Sequence, residues 1–177
     1  YLFDNGLAPY ASYSTSFNPQ IGTDASGQAF KPTTANQYEI GLKYQPPNFD
    51  GFITGSLFQL TEQNVLTVDP NNPGFSVQTG EIRSRGAEVE AHVNITPNWS
   101  VVGAYAFLDN DITKANDGTE GNTPAQFPRH MASLWSDYTF DTGALNGLTL
   151  GGGVRYVGSS FGDNENSFKV PSYTLFD

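Results

Sequence analysis

The stretch 80–95, GEIRSRGAEVEAHVNI, constrains this chain most, because polar and apolar side chains alternate strictly along it from residue 87. One face carries small aliphatic side chains: Ala87, Val89, Ala91 and Val93. The other face is polar: Glu88, Glu90, His92 and Asn94. A period of two predicts a β-strand with one apolar and one polar face. Such a strand lies either between lipid and a water-filled lumen or half-buried in a soluble barrel, and this stretch alone leaves both open.

The composition favours the membrane alternative. Aromatic residues make up 14% of the chain, whereas charged residues make up only 15%, which is low for a soluble domain. Tyr and Phe in this proportion suit the apolar band and aromatic girdles of an outer-membrane barrel. The net charge of -10 argues against a nucleic-acid partner, and the lack of Cys excludes disulfides and thiolate metal sites. No apolar run is long enough for a transmembrane helix, and the opening YLFDNG does not read as a signal peptide, so we expect an interior piece of an exported protein.

Strand-like segments recur along the whole chain. Seven full strands are predicted, at residues 9–17, 36–45, 52–61, 80–95, 99–108, 128–140 and 148–158, with partial strands at 1–3 and 171–177. The second of them places Tyr38, Ile40, Leu42 and Tyr44 on one face, which matches an apolar band with aromatic anchors at both ends. We expect this face to meet lipid and the face of Glu39 and Glu88 to meet water.

The connections alternate between short and long. Short turns are predicted at 4–6, 46–51, 96–98 and 141–147, and long loops at 18–34, 62–78, 109–127 and 159–170. This asymmetry is typical of an up-and-down barrel with tight periplasmic turns and long external loops. The sequence therefore predicts an all-β fold, an antiparallel up-and-down meander that forms part of a transmembrane β-barrel. An odd number of full strands predicts an incomplete barrel, a fragment whose open edges need further strands or detergent.

Six motifs, in order, resemble those of the TonB-dependent siderophore receptors, above all the ferrichrome and ferrioxamine type. They are NGLAPYASYSTSFNP (5–19), ANQYEIGLKYQPP (35–47), LTEQNVLTVDP (60–70), GEIRSRGAEVEA (80–91), FPRHMASLWSDYTF (127–140) and GGGVRYVGSSFGD (151–163). The resemblance covers nearly the whole chain. It implies that residues 1–177 are the C-terminal portion of a receptor's barrel domain, without the plug domain.

The resemblance implies a function that periodicity does not. Receptors of this type have a barrel of roughly twenty-two strands closed by a plug. They bind ferric siderophores outside the bacterial outer membrane and import them with energy from TonB. The implied partners are the ferric siderophore, the plug, TonB and outer-membrane lipid, with no nucleic acid. A receptor for haem or cobalamin, and a structural or adhesin barrel without transport, remain alternatives.

No catalytic constellation stands out. The sequence has no nucleophile elbow, phosphate-binding loop or zinc motif, so an enzyme is not expected. His92 is interpreted as a polar side chain that faces the lumen, because neighbouring side chains on one face of a strand diverge rather than converge on a metal. His130 is interpreted as a structural residue. Iron is expected to arrive already chelated, as the substrate Fe(III)-siderophore, with no cofactor bound by protein ligands.

Two groups of residues are candidates for the site. A lumen charge network, with direct ligand contact as the alternative, is predicted for Glu81, Arg83, Arg85, Glu88, Glu90 and Arg155. Siderophore contacts, with simple loop packing as the alternative, are predicted for the external-loop phenylalanines Phe17, Phe30, Phe75, Phe127 and Phe161. Rigid aromatic side chains suit a bulky, semi-polar chelate.

Overall fold

The computed structural model describes residues 2–177 as one eight-stranded antiparallel sheet with a small two-stranded ribbon. The strands of the sheet are β1 Leu7–Asn18, β2 Thr33–Tyr44, β3 Gly51–Val68, β4 Ser76–Thr96, β5 Trp99–Lys114, β6 His130–Thr139, β7 Thr149–Val157 and β10 Tyr173–Phe176. The ribbon pairs β8 Ser160–Phe161 with β9 Lys169–Val170, and a 3₁₀ turn lies at Gly143–Leu145. No helix in the described residues has the length and hydrophobicity to cross a membrane.

The order of the strands in the sheet follows the chain, with β1 at one edge and β10 at the other. The sheet does not close, so the predicted up-and-down meander of seven full strands in an incomplete barrel is confirmed. The predicted partial strand at 1–3 is not observed in the described residues. Tyr1 lies outside the described residues, and Leu2 and Phe3 are not in a strand.

The connections between the strands lie at two opposite rims of the sheet. Residues 45–50, 97–98 and 140–148 join strands at the short-turn rim. Residues 19–32, 69–75, 115–129 and 158–172 join strands at the opposite, long-loop rim. This alternation confirms the meander geometry that the sequence predicts.

The sheet has an apolar face and a polar face, and the apolar one is uncovered. On the apolar face Tyr38, Ile40, Leu42 and Val89 are 61%, 59%, 43% and 48% exposed. Ile112 is the single buried hydrophobic residue among those described, so residues 2–177 contain no dry core. An apolar surface of this extent needs an apolar solvent, which is lipid for a sheet of this kind.

Three strands run much further than the sequence predicts. β3, β4 and β5 have 18, 21 and 16 residues, although about 9–11 suffice to cross a bilayer. The predicted strands 52–61 and 99–108 are therefore too short. The predicted loops 62–78 and 109–127 are wrong in part, because 62–68, 76–78 and 109–114 lie in the paired strands. Beyond the membrane both faces meet water, so the polar-apolar alternation ends while the backbone ladder continues.

Aromatic side chains on the polar face lie directly over glycines of the neighbouring strand. A Cβ atom on Gly41 would come within 2.4 Å of the Tyr10 ring, and one on Gly86 within 2.5 Å of the Phe58 ring. A glycine in a strand interior otherwise weakens the sheet, and an aromatic ring that covers it recovers packing. These contacts fix Tyr10 beside the carboxylates described next.

Candidate functional site

The polar face holds a cleft lined by three carboxylates, which we call the acidic cleft: Glu39 from β2, and Glu88 and Glu90 from β4. Its volume is about 380 Å³. The Tyr10 hydroxyl donates a hydrogen bond of 2.7 Å to Glu39 Oε1, and Gln37 Nε2 donates one of 3.0 Å to Oε2. Glu39 is thus held in place, while its negative charge has no cationic partner in the part of the chain that the structure describes.

No residue described in the structure forms an ion pair with any carboxylate of the acidic cleft. Arg155 is on the same face but is remote from the acidic cleft. The register leads from Glu90 through Ala104 of β5 and Ser133 of β6 to Arg155 of β7. Three strand spacings of about 4.8 Å separate the two charged residues. The acidic cleft is therefore suited to a cationic surface supplied from outside this sheet.

The predicted lumen network of six charges is not one network. Arg83 and Arg85 lie on the apolar side of β4, since they share the parity of Ala87. Arg83 Nη2 is 3.2 Å from Asp111 Oδ2, and Arg85 Nε donates a 2.9 Å hydrogen bond to Gln59 Oε1. The prediction grouped charges that are close in sequence, although successive side chains of a strand point to opposite faces.

Glu81 is separated from the acidic cleft as well. Its Oε2 atom is 2.7 Å from Lys114 Nζ, beyond the irregularity in register between Glu81 and Ile82. Of the six predicted residues, only Glu88, Glu90 and Arg155 share the polar face, and only Glu88 and Glu90 share the cleft.

A belt of polar contacts follows the apolar band on its long-loop side. We call it the collar: Gln59, Arg83, Arg85, Asp109, Asp111 and Arg129. Its third contact joins Arg129 Nη2 to Asp109 Oδ1 at 2.9 Å. On β5 the apolar side changes from Tyr105 and Phe107 to Asp109 and Asp111 within two residue pairs. An aromatic girdle followed by charge marks the level where lipid headgroups begin.

The structure brings together only two of the five predicted phenylalanines. Phe127 and Phe161 line one cleft at the long-loop rim, whereas Phe30 lies against Gly22 in the first long loop and Phe75 is 47% exposed in the second. Phe17 is 72% exposed on the apolar side of β1, opposite Thr34. Phe17 therefore points away from the lumen, because alternation along β1 places it with Tyr13 rather than with Tyr10.

Each long loop contains one aspartate that organises it, a feature that the sequence analysis missed. Asp24 accepts a hydrogen bond from the Ser26 hydroxyl, Asp117 from the Thr119 hydroxyl and Asp163 from the Ser167 hydroxyl. Asp69 accepts one from the Asn72 side-chain amide. The short spacing from Asp to Ser, Thr or Asn was the available signal, since these side chains build such turns.

These hydrogen bonds make the external loops sensitive to acid. They lower the pKa of Asp24, Asp69, Asp117 and Asp163, with the neighbouring hydroxyl or amide as the largest cause in each case. A depressed pKa stabilises the folded loop above the unfolded value of about 3.9, and this stabilisation is lost as the pH falls through the folded value.

We expect backbone exchange of Ser26, Asn71, Thr119 and Ser167, corrected for the intrinsic rate, to accelerate as the pH falls below the unfolded pKa of about 3.9, because protonation of each aspartate weakens the hydrogen bond that its carboxylate accepts from that amide. The Asp163→Asn variant should abolish the change at Ser167 alone. Exchange at Ser167 that stays equally protected throughout would contradict the role assigned to Asp163.

The two histidines take structural positions. His92 Nε2 is 3.5 Å from Ser100 Oγ and its ring is 6.0 Å from that of Phe52. His130 Nδ1 is 2.9 Å from the Tyr105 hydroxyl, and its ring is 5.3 Å from that of Phe107. Among residues 2–177 no group of three or more His, Cys, Asp or Glu side chains is arranged to hold a metal ion.

The sheet, its two rims and its uncovered apolar face agree with comparisons to known proteins. The family model described as TonB dependent receptor-like, beta-barrel, matches residues 1–177. This chain belongs to that family. The TonB-dependent receptor barrels are outer-membrane receptors and transporters, which confirms the predicted family, fold class and location in the bacterial outer membrane.

Individual relatives of this receptor barrel bind iron chelates. The chain is 52% identical over 178 aligned residues to the ferrichrome outer membrane transporter and phage receptor of Escherichia coli K12, and 39% identical to the ferrioxamine receptor of Yersinia enterocolitica. Each match covers 100% of this chain and 24% of the relative. Among solved structures, the ferric preacinetobactin receptor of Acinetobacter baumannii matches with a TM-score of 0.80 and 26% identity, over 97% of this chain and 26% of that one. The chain thus spans about a quarter of the length of these relatives.

Proposed function

We propose that the receptor to which this barrel segment belongs binds ferric siderophores outside the cell and imports them with energy supplied through TonB. The observation that carries the proposal is the 52% identity to a ferrichrome transporter along the whole of this chain. Ferrichrome and ferrioxamine are the first substrates to test, because the receptors with these names are similar over all of it. No enzymatic activity is proposed.

The acidic cleft supports a plug domain as partner. Glu39, Glu88 and Glu90 leave three carboxylates on the wall of the lumen without a cation from the described residues. Carboxylates that become partly desolvated need cationic or hydrogen-bonding partners. A basic surface of the plug, seated on the polar face, would supply them and hold the plug in the barrel.

The siderophore would be held from the long-loop rim. Phe30 and Phe75 are the candidate aromatic contacts that the structure leaves at this rim apart from the cleft of Phe127 and Phe161. The iron would remain in its chelate, with siderophore oxygen atoms as its ligands, so the protein contributes shape and hydrogen bonds but no cofactor ligand.

The experiment is an uptake assay with the full-length receptor in a host that lacks its own siderophore receptors. Cells are given radioactive ferric ferrichrome or ferrioxamine, with haem and cobalamin as the alternative substrates, in strains with and without TonB. We expect TonB-dependent uptake of at least one ferric siderophore. Uptake of haem or cobalamin alone, or no TonB-dependent uptake of any of them, would reject the proposal.

Neutralising the acidic cleft is expected to loosen the plug. In the full-length receptor, Glu88→Gln with Glu90→Gln should raise hydrogen exchange in the plug by about tenfold or more, because each charge-assisted hydrogen bond contributes about 1.5–3 kcal/mol. Glu165→Gln removes a carboxylate from an exposed loop and is the control. Plug exchange that is equal in the double variant and the control would contradict the assignment of the acidic cleft.

A further inference from the structure

The cleft of Phe127 and Phe161, which we call the rim cleft, opens on the lipid side of the sheet. Its other lining residues include Arg129, His130, Tyr156 and Lys169. His130 and Tyr156 are on the apolar face, because they alternate with Met131 and Val157, which pair with each other on the polar face. The Tyr105 hydroxyl, 2.9 Å from His130 Nδ1, belongs to the same side. The rim cleft therefore faces away from the lumen.

Its height along the barrel is that of the lipid headgroups. Tyr105 and Tyr156 both pair with Ala132 and form an aromatic row of the apolar face. His130 is in the next row, opposite Phe107, and Arg129 belongs to the collar above it. The rim cleft thus spans the step from the aromatic girdle to the collar, where acyl chains give way to phosphate and sugar.

The rim cleft is locally positive, although the chain has a net charge of -10. Lys169 Nζ lies 5.2 Å from the centre of the Phe161 ring and forms no ion pair with any described residue. Arg129 is balanced by Asp109, and none of the residues that line the rim cleft is an aspartate or a glutamate. One ammonium group is therefore left over.

The remaining lining provides both hydrogen-bond donors and apolar walls. Ser159 and Ser160 contribute hydroxyl groups, while Phe127, Tyr156 and Phe161 contribute aromatic surface, around a volume of about 370 Å³. A free anion would contact only the hydrogen-bond donors of this lining. A headgroup with attached acyl chains would contact the donors and the aromatic walls, with the phosphate at Lys169 and the chains directed along the apolar face.

We propose that the rim cleft binds the phosphorylated headgroup of an outer-leaflet glycolipid, with Lys169 as the phosphate contact. The proposal depends on the outer-membrane location and not on which substrate the receptor transports. It assigns Phe127 and Phe161 to lipid rather than to the siderophore.

The test uses full-length receptor in an uncharged detergent, titrated with lipid A that carries two phosphates and followed by native mass spectrometry. Lys169→Gln should weaken binding about fivefold, since one lysine near an anionic surface contributes about that factor. Removal of the phosphates from lipid A should weaken binding to the unaltered receptor but have little further effect on Lys169→Gln. Lys169→Arg keeps the charge and should retain binding.

The matched control is Lys43→Gln. Lys43 Nζ also lies over a phenylalanine ring, 4.6 Å from the centre of Phe52, but it is on the polar face near the short-turn rim. Equal weakening by the Lys43 and Lys169 variants would overturn the proposal, as would competition by inorganic phosphate at the concentration of the lipid. Loss of ferric-siderophore binding with intact lipid binding in Lys169→Gln would identify the rim cleft as a ligand site and likewise overturn it.

Discussion

Leu57→Arg is expected to destabilise the full-length barrel in a bilayer by about 2–4 kcal/mol, which is the cost of an arginine on the lipid face near the membrane midplane. Leu57 is 57% exposed in the middle of the apolar band, and its register partners are Ile40 and Ala87. None of these neighbours offers a charge or a hydrogen bond to a guanidinium group. The arginine would therefore have to reach the headgroups or draw water into the lipid.

The matched control for this substitution is Gln63→Arg. Gln63 is on the same strand and the same side as Leu57, but it pairs with Glu81 beyond the collar. The same side chain at this depth should cost no more than about 1 kcal/mol. The free energy of unfolding is measured by denaturant titration in lipid vesicles. Similar losses in the two variants would show that the apolar face does not meet lipid.

Gly6→Ala is expected to be the most damaging substitution in the turns. Gly6 has φ of +85°, and an added Cβ would lie 2.1 Å from the Gln45 carbonyl oxygen and 2.7 Å from Pro46 Cα. Both atoms belong to backbone that cannot rotate away. Gly6 also binds this segment directly, because the Gln45 amide donates a 2.8 Å hydrogen bond to its carbonyl.

Comparison with Gly147→Ala separates the two causes of the stability lost in Gly6→Ala, which are the backbone conformation and the steric clash. Gly147 is at the same rim with φ of +86°, but an added Cβ would have no neighbour within 4 Å. It should cost about 1–2 kcal/mol from conformation alone, whereas Gly6→Ala adds about 1–3 kcal/mol for the steric clash. The comparison uses the same vesicle titration. Equal losses at the two glycines would mean that the chain near Gln45 moves aside easily.

Alternation predicted the membrane-spanning part of the fold well because there it reports two different solvents. On β2 the series Tyr38, Ile40 and Leu42 is exposed on one face, while Glu39 is in the acidic cleft on the other. Alternation failed for the ends of β3, β4 and β5, where water is on both sides. Their pairing there is determined by continuous backbone hydrogen bonds, which leave no mark on hydrophobicity.

The charged residues show a different limit. The face of Arg83 and Arg85 followed from their parity with Ala87, so this error was avoidable from the sequence. The partner of Arg83 was not predictable from the two-residue turn at 97–98 alone. The turn pairs Thr96 with Trp99, and that register would place Ile112 opposite Arg83, but the irregularity between Asn94 and Thr96 shifts the pairing by one residue to Asp111. The rim cleft was not predictable, since it joins the loop 115–129 to the loop 158–172 and no periodic pattern links them.

Because β3 and β4 are unusually long, the hairpin tip that joins them is the part of this barrel that a large extracellular molecule meets first. The collar places the headgroup level at Arg83, so residues 76–82 of β4 continue outward beyond the membrane. Seven residues at about 3.3 Å each, on a strand tilted by about 35–45°, raise the tip at 69–75 roughly 15–20 Å above the headgroups. A short epitope inserted between Asn71 and Asn72 would be displayed on intact cells at this tip, where an antibody can recognise it without entering the barrel mouth.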